Sequence, residues 1–368
     1  MRVLQMLGTL NIGGLERVVV HLLNGLKSHE IESRYLALEA AGPLEDEILD
    51  KCIRGTTFNK KPGKSYYIPF RIAAIVKKWK IDVIHAHNFA PAMYSYLATR
   101  LPGCNSKLIY TEHNLVYHLN PKQKRRLARC LRAYDRVVCV SDELRYAVNE
   151  ATGLPVDGST VVHNGVPDIS RAPNCPSPGQ LRGILNRQAD EVLVGTAVRM
   201  TQQKGVDVLV ESFRTVAARN SKAHLVLMGD GPLFGEIRSL VDAFGLRDRV
   251  SMLGYRQDAP LLVRDLDVYV LPSRWEGLPM GIIEAMAWSL PVVATSVGGN
   301  PEAVAEDTGL LVPPDNPGEL ATALSHLCND PALRTSFGKN ARARYLSHFT
   351  VERMVCDYAN IYREMTAQ

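Results

Sequence analysis

Two carboxylates eight residues apart, Glu276 and Glu284, stand in the segment SRWEGLPMGIIEAMAWSLPVVATSVGGNPE, residues 273–302. Asp267–Pro272 is a short apolar run of strand type, Glu276 and Gly277 read as a loop, and Pro279 stands where proline favours a first helical turn. Glu284 therefore falls one turn inside a helix. Free backbone N–H groups at a helix start are donors with partial positive charge, and a carboxylate at each end of such a turn accepts from hydroxyls. The pattern suits a polyhydroxylated ligand that also carries an anion. The alternative for either glutamate alone is a carboxylate that only complements the helix dipole. Arg199, at the end of another strand-like run, and Lys204, five residues on at the next predicted helix start, add two cations suited to a diphosphate. An isolated cation of this kind is otherwise a solvated surface charge. His85 and His87 end the run IDVIHAH and His113 ends LIYTEH, so three imidazoles stand at strand ends. No Asp or Cys co-ligand stands near them at catalytic-zinc spacing, and no metal is expected there.

These groups need rigid supports, and the hydrophobic pattern supplies them. Apolar runs recur at Val3–Leu7, Val83–His85, Leu108–Thr111, Val137–Val140 and Thr160–Val162. They recur again at Val192–Val198, His224–Met228, Val250–Leu253, Val268–Leu271 and Val292–Ala294. Helix-period segments separate most of them. Short buried strands alternating with helices imply parallel sheets covered on both faces, and the pattern occurs twice, which predicts an α/β chain of two Rossmann-like domains. The length of 368 residues and an apolar content of 46 % fit two cores. Gly165–Gln188, with Pro167, Pro173, Pro176 and Pro178, reads as a connector followed by a short helix. The domains are expected at 1–168 and 169–350, and Val351–Met365, with Met354, Tyr358 and Tyr362 at spacing four, is expected to be a helix. In open parallel sheets ligands bind beyond the carboxyl ends of strands. There the first run is followed by Asn11, Ile12, Gly13 and Gly14, where two glycines permit close backbone approach at a helix start.

The 273–302 segment resembles the Glu-x7-Glu signature of retaining GT-B glycosyltransferases, in particular glycosyltransferase family 4, and the resemblance extends over nearly the whole chain. It implies a GT-B fold in which two Rossmann-like domains face an interdomain cleft, the first binding the acceptor and the second a nucleotide-sugar donor, with the last helix crossing back to the first domain. It places Glu276 against the donor sugar and Glu284 against the ribose hydroxyls, with Gly277, Leu278, Pro279 and Met280 lining the donor site. Arg199 and Lys204 then stabilise charge on the departing diphosphate, and Gly13 and Gly14 approach the diphosphate and the acceptor. His113 contacts the donor sugar, Gly254 and Tyr255 border the base, and Asn11, His85 and His87 lie on the acceptor side. The family usually has Gly where this chain has Ser289, so the way out of the helix is expected to differ here. The expected reaction moves a sugar, from a UDP-sugar or from GDP-mannose, to a hydroxyl of a lipid-linked or surface-glycan acceptor with retention and without a metal. Rival readings are a nucleotide-sugar 2-epimerase of the same architecture and a sugar-nucleotide-binding subunit without turnover.

Two motifs are decoys. Gly229-Asp230-Gly231 with Gly235 nearly spells the dinucleotide fingerprint, but the third glycine comes one position late and Pro232 intervenes. Asp265-Leu266-Asp267 spells the D-x-D of metal-dependent transferases but opens a strand instead of following one. With seven cysteines and no C-x-x-C pair, neither disulfides nor a zinc knuckle are indicated. No apolar run of membrane-spanning length and no signal peptide is evident, so a cytoplasmic location is expected, at the inner face of the membrane. Residues 1–170 carry 23 Lys and Arg against 16 Asp and Glu, a net +7 in a chain of +5. The densest cluster, Lys122, Lys124, Arg125, Arg126, Arg129, Arg132 and Arg136, interleaves with Leu127, Leu131 and Tyr134 as on one amphipathic helix. Such a helix fits an anionic membrane surface or, alternatively, a solvated face packed on its sheet. Nucleic acid is not expected, because no binding module accompanies the charge.

Overall fold

A computed structural model describes residues 1–113, 115–171 and 177–367. Pro173, Cys175 and Pro176 of the connector lie outside the described residues. The chain divides into two compact units, Met1–Val166 with Val351–Gln368, and Pro167–Thr350.

The first unit runs β1 (Arg2–Thr9), α1 (Gly14–Gly25), β2 (Glu32–Ala40), β3 (Gly55–Thr57), α2 (Ile68–Trp79), β4 (Val83–His87), α3 (Phe89–Ala98), β5 (Lys107–Glu112), α4 (Pro121–Leu131), β6 (Arg136–Cys139), α5 (Asp142–Thr152) and β7 (Ser159–Val161). The second unit runs α6 (Gln180–Leu185), β8 (Val192–Ala197), α7 (Val206–Arg219), β9 (Ala223–Met228), α8 (Phe234–Ala243), β10 (Val250–Gly254), α9 (Ala259–Leu262), β11 (Val268–Leu271), α10 (Met280–Ala287), β12 (Val292–Thr295), α11 (Asn300–Ala303), β13 (Gly309–Val312), α12 (Pro317–Asn329) and α13 (Pro331–His348). The last helix, α14 (Val351–Ala367), returns to the first unit.

Both sheets are parallel, in the orders β3-β2-β1-β4-β5-β6-β7 and β10-β9-β8-β11-β12-β13. In each, chain order reverses on the two sides of the first strand, between β1 and β4 and between β8 and β11. A crevice opens at such a switch point beyond the carboxyl ends. The loop after β1 carries Asn11–Gly13, β4 ends on His87, and the loops after β8 and β11 carry Arg199, Lys204 and Glu276. Apolar clusters hold the sheets in place. In the first unit Leu4, Met6, Ile72 and Ile84 pack one side of the sheet and Leu7, Val19 and Leu23 another; in the second Val194, Leu209, Phe213, Leu225 and Leu324 share a core. Each such side chain taken out of water contributes about 1.5–3 kcal/mol.

The structure departs from the expectations in four places. Strands β2, β3 and β13 were not anticipated: β2 reads ESRYLALEA, rich in helix formers, and is a strand because it pairs along β1 from Arg2↔Glu32 to Thr9↔Ala40. The basic helix does not span Lys122 to Arg136. It starts in a capping box, with the Asn120 side chain accepting from the Lys122 and Gln123 N–H groups, and ends at Leu131, while Arg136 opens β6. Asp135 forces the break by accepting from the Leu108 N–H at 2.8 Å, which fixes the chain at the β5 edge. Pro279 is the N-cap of α10, with an extended ψ of 122°, rather than a residue of its first turn. Ser289 takes the left-handed conformation itself, φ 60°, so the chain leaves α10 by the path a glycine would take.

Candidate active site

In the second unit the loops after β8 and β11 are stitched together. Lys204 donates to Glu276 Oε1 at 2.5 Å, Ser273 Oγ donates to the same oxygen at 2.6 Å, and Gln203 donates to the Trp275 carbonyl at 2.9 Å. Arg274 locks the base of the pair from below. It forks onto Asp207 at 2.7 and 3.1 Å, and reaches the Gln202 carbonyl at 2.7 Å and Asp315 at 2.7 Å. Two glycines make the approach possible. Gly205, φ 60°, lies so close to Pro272 that a Cβ would stand 2.1 Å from its carbonyl oxygen; a Cβ on Gly298, φ 52°, would stand 2.0 Å from the Glu276 carbonyl oxygen. Gly299 N–H then donates to the Gly277 carbonyl at 2.6 Å. Glu276 is thereby 4 % exposed, an anion held by a cation and a hydroxyl at the carboxyl edge.

Leu278, Pro279 and Met280 lead into α10, whose first turn has no side-chain cap. Its N–H groups are available donors. Glu284 is the fifth residue of α10 and half-buried. Beneath both glutamates lies Tyr269 of β11, fully buried, with Gly281 against its hydroxyl: a Cβ there would meet the oxygen at 2.4 Å. Burial, then the Glu284 and Glu276 charges, push the Tyr269 phenol well above its ordinary range, so it stays protonated. Arg199 is exposed, and no bond joins it to Lys204 or Glu276 among the described residues. Gly254 has φ 65° and accepts from the Gly229 N–H at 2.7 Å, leaving Tyr255 58 % exposed beside it.

The two decoy motifs have structural duties. Asp265 accepts from the Gly179 and Leu181 N–H groups at 2.8 Å each, and Asp267 from the Leu193 N–H and Arg182 at 2.7 Å. Gly229 and Gly231 let their turn pass the Val198 and Met200 carbonyls, where Cβ atoms would stand at 1.9 and 2.5 Å.

In the first unit the three imidazoles come together. His85 and His87 share one face of β4, with ring centroids 4.0 Å apart, and His87 Nδ1 lies 3.1 Å from His113 Nε2. The polar partners are Gln5 of β1, Thr111 of β5 and two tyrosines of α14. His85 bonds Tyr362 at 2.6 Å and Thr111 at 2.7 Å, and Thr111 bonds Tyr358 at 3.1 Å. Gln5 donates from its amide nitrogen to Tyr362 at 3.1 Å and its oxygen faces His87 Nε2 at 2.9 Å. That oxygen can only accept, so His87 donates from Nε2 and, being neutral, accepts at Nδ1. His113 must then donate from Nε2, which leaves its Nδ1 as an acceptor for a ligand hydroxyl. Burial holds all three histidines neutral: His113 is lowered to about 3, and His85 and His87 well below their ordinary value. Asn88, at a strained φ of 65°, anchors the turn by accepting from the His113 N–H at 3.1 Å. His85 is wholly buried with both nitrogens bonded, so it positions its neighbours rather than touching an acceptor.

At the first loop, Asn11 and Gly14 are exposed, and Gly13 caps α1 in extended conformation. The Glu16 carboxylate folds over Gly13, where a Cβ would meet Oε2 at 2.3 Å, and burial raises its pKa. An anion already occupies this helix start, so the loop suits a hydroxyl better than a phosphate. Gln5, Asn88, Ser273, Tyr358 and Tyr362 were not picked out from the sequence as site residues. A polar Gln in the middle of the apolar run RVLQMLGT was a usable signal, since buried polar groups need partners.

Residues 12–168 match the family described as Glycosyltransferase Family 4, and residues 191–330 that described as Glycosyl transferases group 1. The chain is 24 % identical over 373 residues to the Escherichia coli UDP-Gal:alpha-D-GlcNAc-diphosphoundecaprenol alpha-1,3-galactosyltransferase, covering 96 % of this chain and 94 % of the relative. It is 28 % identical to the Bacillus anthracis N-acetyl-alpha-D-glucosaminyl L-malate synthase over 80 % of this chain and 78 % of that one. In structure it is similar to the Anabaena HepE protein in complex with UDP, with a TM-score of 0.86 and 23 % identity over 99 % of this chain and 100 % of the other. Two parallel-sheet units, carboxylates and cations gathered at the switch point of the second, and matches to both families over most of the chain lead to one assignment: the protein belongs to the family 4 glycosyltransferases and has the GT-B fold.

Proposed function

We propose that the protein is a retaining, metal-independent hexosyltransferase that moves a sugar from a nucleoside-diphosphate sugar to a hydroxyl of a lipid-linked or surface-glycan acceptor. The observation that carries this is the Lys204–Glu276–Ser273 cluster at the start of α10. It offers a cation for the diphosphate and a fixed acceptor for sugar hydroxyls a few ångströms apart. Glu284 accepts from the ribose, Tyr255 borders the base, and Arg199 with Lys204 neutralises charge as the bond from C1 to the diphosphate breaks. The acceptor oxygen forms its bond on the same face, and its proton passes to the departing phosphate. His113 Nδ1 accepts from a donor hydroxyl, while Asn11 and the Gly13-Gly14 turn meet the acceptor. The E. coli relative's UDP-galactose and diphosphoundecaprenol-linked substrate, and the UDP bound by the Anabaena protein, support a UDP-sugar and a lipid-borne acceptor. No helix among the described residues is long and apolar enough to cross a membrane. A lipid-borne acceptor favours a peripheral position on the inner face of the cytoplasmic membrane, with Lys122, Lys124, Arg125, Arg126 and Arg129 of α4 on anionic headgroups.

Calorimetric titration with UDP, alongside turnover, tests the roles. Glu284→Ala is expected to weaken UDP binding, and Glu276→Ala to reduce turnover more than UDP affinity. Removing the Arg199 or Lys204 charge is expected to lower turnover by roughly 10²-fold or more, with chelator having little effect. Equal loss of UDP affinity in both glutamate variants, or activity that chelation abolishes and Mn²⁺ restores, would reject the assignment; an inverted product anomer in the NMR spectrum would reject retention.

A further inference from the structure

Between residues 51 and 134 the chain has seventeen Lys and Arg but only two acidic residues, Asp82 and Glu112, a net +15 in a protein whose total is +5. Neither carboxylate offsets this charge at the carboxyl edge of the sheet. Asp82 precedes β4 at the amino edge and accepts from the Arg2 N–H at 2.7 Å; Glu112 is buried and accepts from Tyr110 and the Val116 N–H. The segment builds α2, α3 and α4, with α3 packed between the other two. Because every strand is parallel, all three helices begin at the carboxyl edge.

At the start of α2 three aromatic rings stand in water. Tyr66 is 81 % exposed, Tyr67 79 % and Phe70 61 %. Lys61, Lys64 and Arg71 flank them in the chain and are exposed; on the other side of α3, Lys122, Arg125, Arg126 and Arg129 of α4 are exposed too. The turn is tied down beneath the rings. Lys60 lies over the Tyr94 ring of α3 at 5.9 Å, the Ser65 N–H donates to the Tyr94 hydroxyl at 3.1 Å, and the Arg71 guanidinium stacks on Phe58 at 3.9 Å. Contiguous exposed rings mark a contact surface, and rings interleaved with cations match the headgroup layer of a bilayer, where aromatics settle and anionic phosphates attract Lys and Arg. A second copy is a poor occupant, because two faces of this charge repel one another.

We propose that residues 60–71 form a membrane-insertion element: Tyr66, Tyr67 and Phe70 enter the interfacial layer of an anionic bilayer, while Lys61, Lys64 and the α4 cations engage its headgroups. The inference deepens the proposed function, on which it rests for the lipid-borne acceptor, by adding an apolar anchor to the α4 charge. Such an anchor would bring the carboxyl edge of the first sheet to the surface that holds the acceptor.

Co-sedimentation with phosphatidylcholine vesicles, with and without phosphatidylglycerol, at low and high salt, tests it on the full chain. The wild type is expected to bind only the anionic vesicles and to keep part of that binding in high salt, where charge is screened. Tyr66→Ser/Tyr67→Ser/Phe70→Ser is expected to lose that residue of binding and to partition roughly tenfold or more below wild type at low salt. Lys124→Gln/Arg125→Gln/Arg129→Gln is expected to lose roughly a hundredfold at low salt while the salt-resistant part survives. An aromatic variant that partitions like wild type at both salts overturns the insertion element and leaves the α4 reading standing. No binding of the wild type to anionic vesicles overturns both, and so does a wild-type dimer that the aromatic variant converts to monomer. Sugar transfer to a soluble acceptor separates the two levels: its absence from the wild type counts against the transferase assignment, whatever the vesicles show.

Discussion

His113 has to be neutral where it sits, and that has a consequence for stability. Burial lowers its pKa to about 3 from an ordinary 6.5. Between those values the unfolded chain binds a proton that the native chain refuses, so the contribution is intact above pH 6.5 and is lost as pH falls from there toward 3. At about pH 5 the loss from this one group is about 2 kcal/mol. His113→Gln removes the titration, so the drop in urea-unfolding free energy between about pH 7.5 and about pH 5 is expected to shrink by about 2 kcal/mol in the variant. An unchanged pH dependence would mean that the imidazole is not held neutral by its surroundings. The same neutrality serves the chemistry: a neutral ring donating from Nε2 to His87 presents a lone pair at Nδ1, whereas a charged ring would present a proton. Gln5 and Tyr362 fix this state from two and three residues away along the chain of bonds.

At the scale of the element, two turns of the 276–299 segment depend on backbone conformations that only some residues adopt cheaply. Ser289 holds φ 60° without being a glycine, and its carbonyl lies where a Cβ on Gly338 would stand at 2.1 Å, so the path out of α10 cannot relax. Ser289→Gly is expected to stabilise the protein by about 0.5–1 kcal/mol, the left-handed cost of a side chain less the added freedom of the unfolded glycine. Gly298 is the opposite case. Alanine there meets both the positive φ and the Glu276 carbonyl, which is backbone and cannot swing away. Gly298→Ala is expected to cost about 2 kcal/mol or more and, by displacing Glu276, to lower turnover more than UDP affinity. Urea midpoints read both substitutions; a Gly298→Ala enzyme with wild-type turnover would show that the turn does not position the glutamate.

At the scale of the whole molecule, α14 closes the first unit with residues from the far end of the chain. Met354, Val355, Tyr358, Ala359, Tyr362 and Met365 are buried, Gly25 of α1 sits where a Cβ would meet Val355 at 2.6 Å, and both tyrosines bond the strand-end imidazoles or their partner Thr111. Deleting residues 351–368 exposes this face and leaves His85 without one of its two partners. Hydrogen exchange is expected to rise by roughly tenfold or more in β4 and β5, with β8 to β13 little changed, since the second unit has its own core. Uniform acceleration in both sheets would show that the two units share one cooperative fold.

The sequence by itself determined the α/β class, the strands built from short apolar runs with several β-branched residues such as VLVGTA and VYVL, and the loops on which Arg199, Lys204 and Glu276 stand. These are local properties: hydrophobic period and turn residues act within a few positions, and parallel sheets put loop polarity at the carboxyl edge. Pairing across the chain decided the rest. ESRYLALEA became β2 because β1 was beside it, and Lys204 met Glu276 across 72 positions because two glycines let their loops close. Glu16 covered Gly13, which changed the ligand that turn suits, and an asparagine cap and Asp135 cut the basic helix at Leu131. The three histidines were visible as strand ends, but Gln5 and Tyr362, which bond His87 and His85, and Tyr358, which bonds their partner Thr111, stand up to 277 positions from them in the chain. No local pattern reports a hydrogen bond of that span, because its energy exists only once the fold has brought its two ends out of water together.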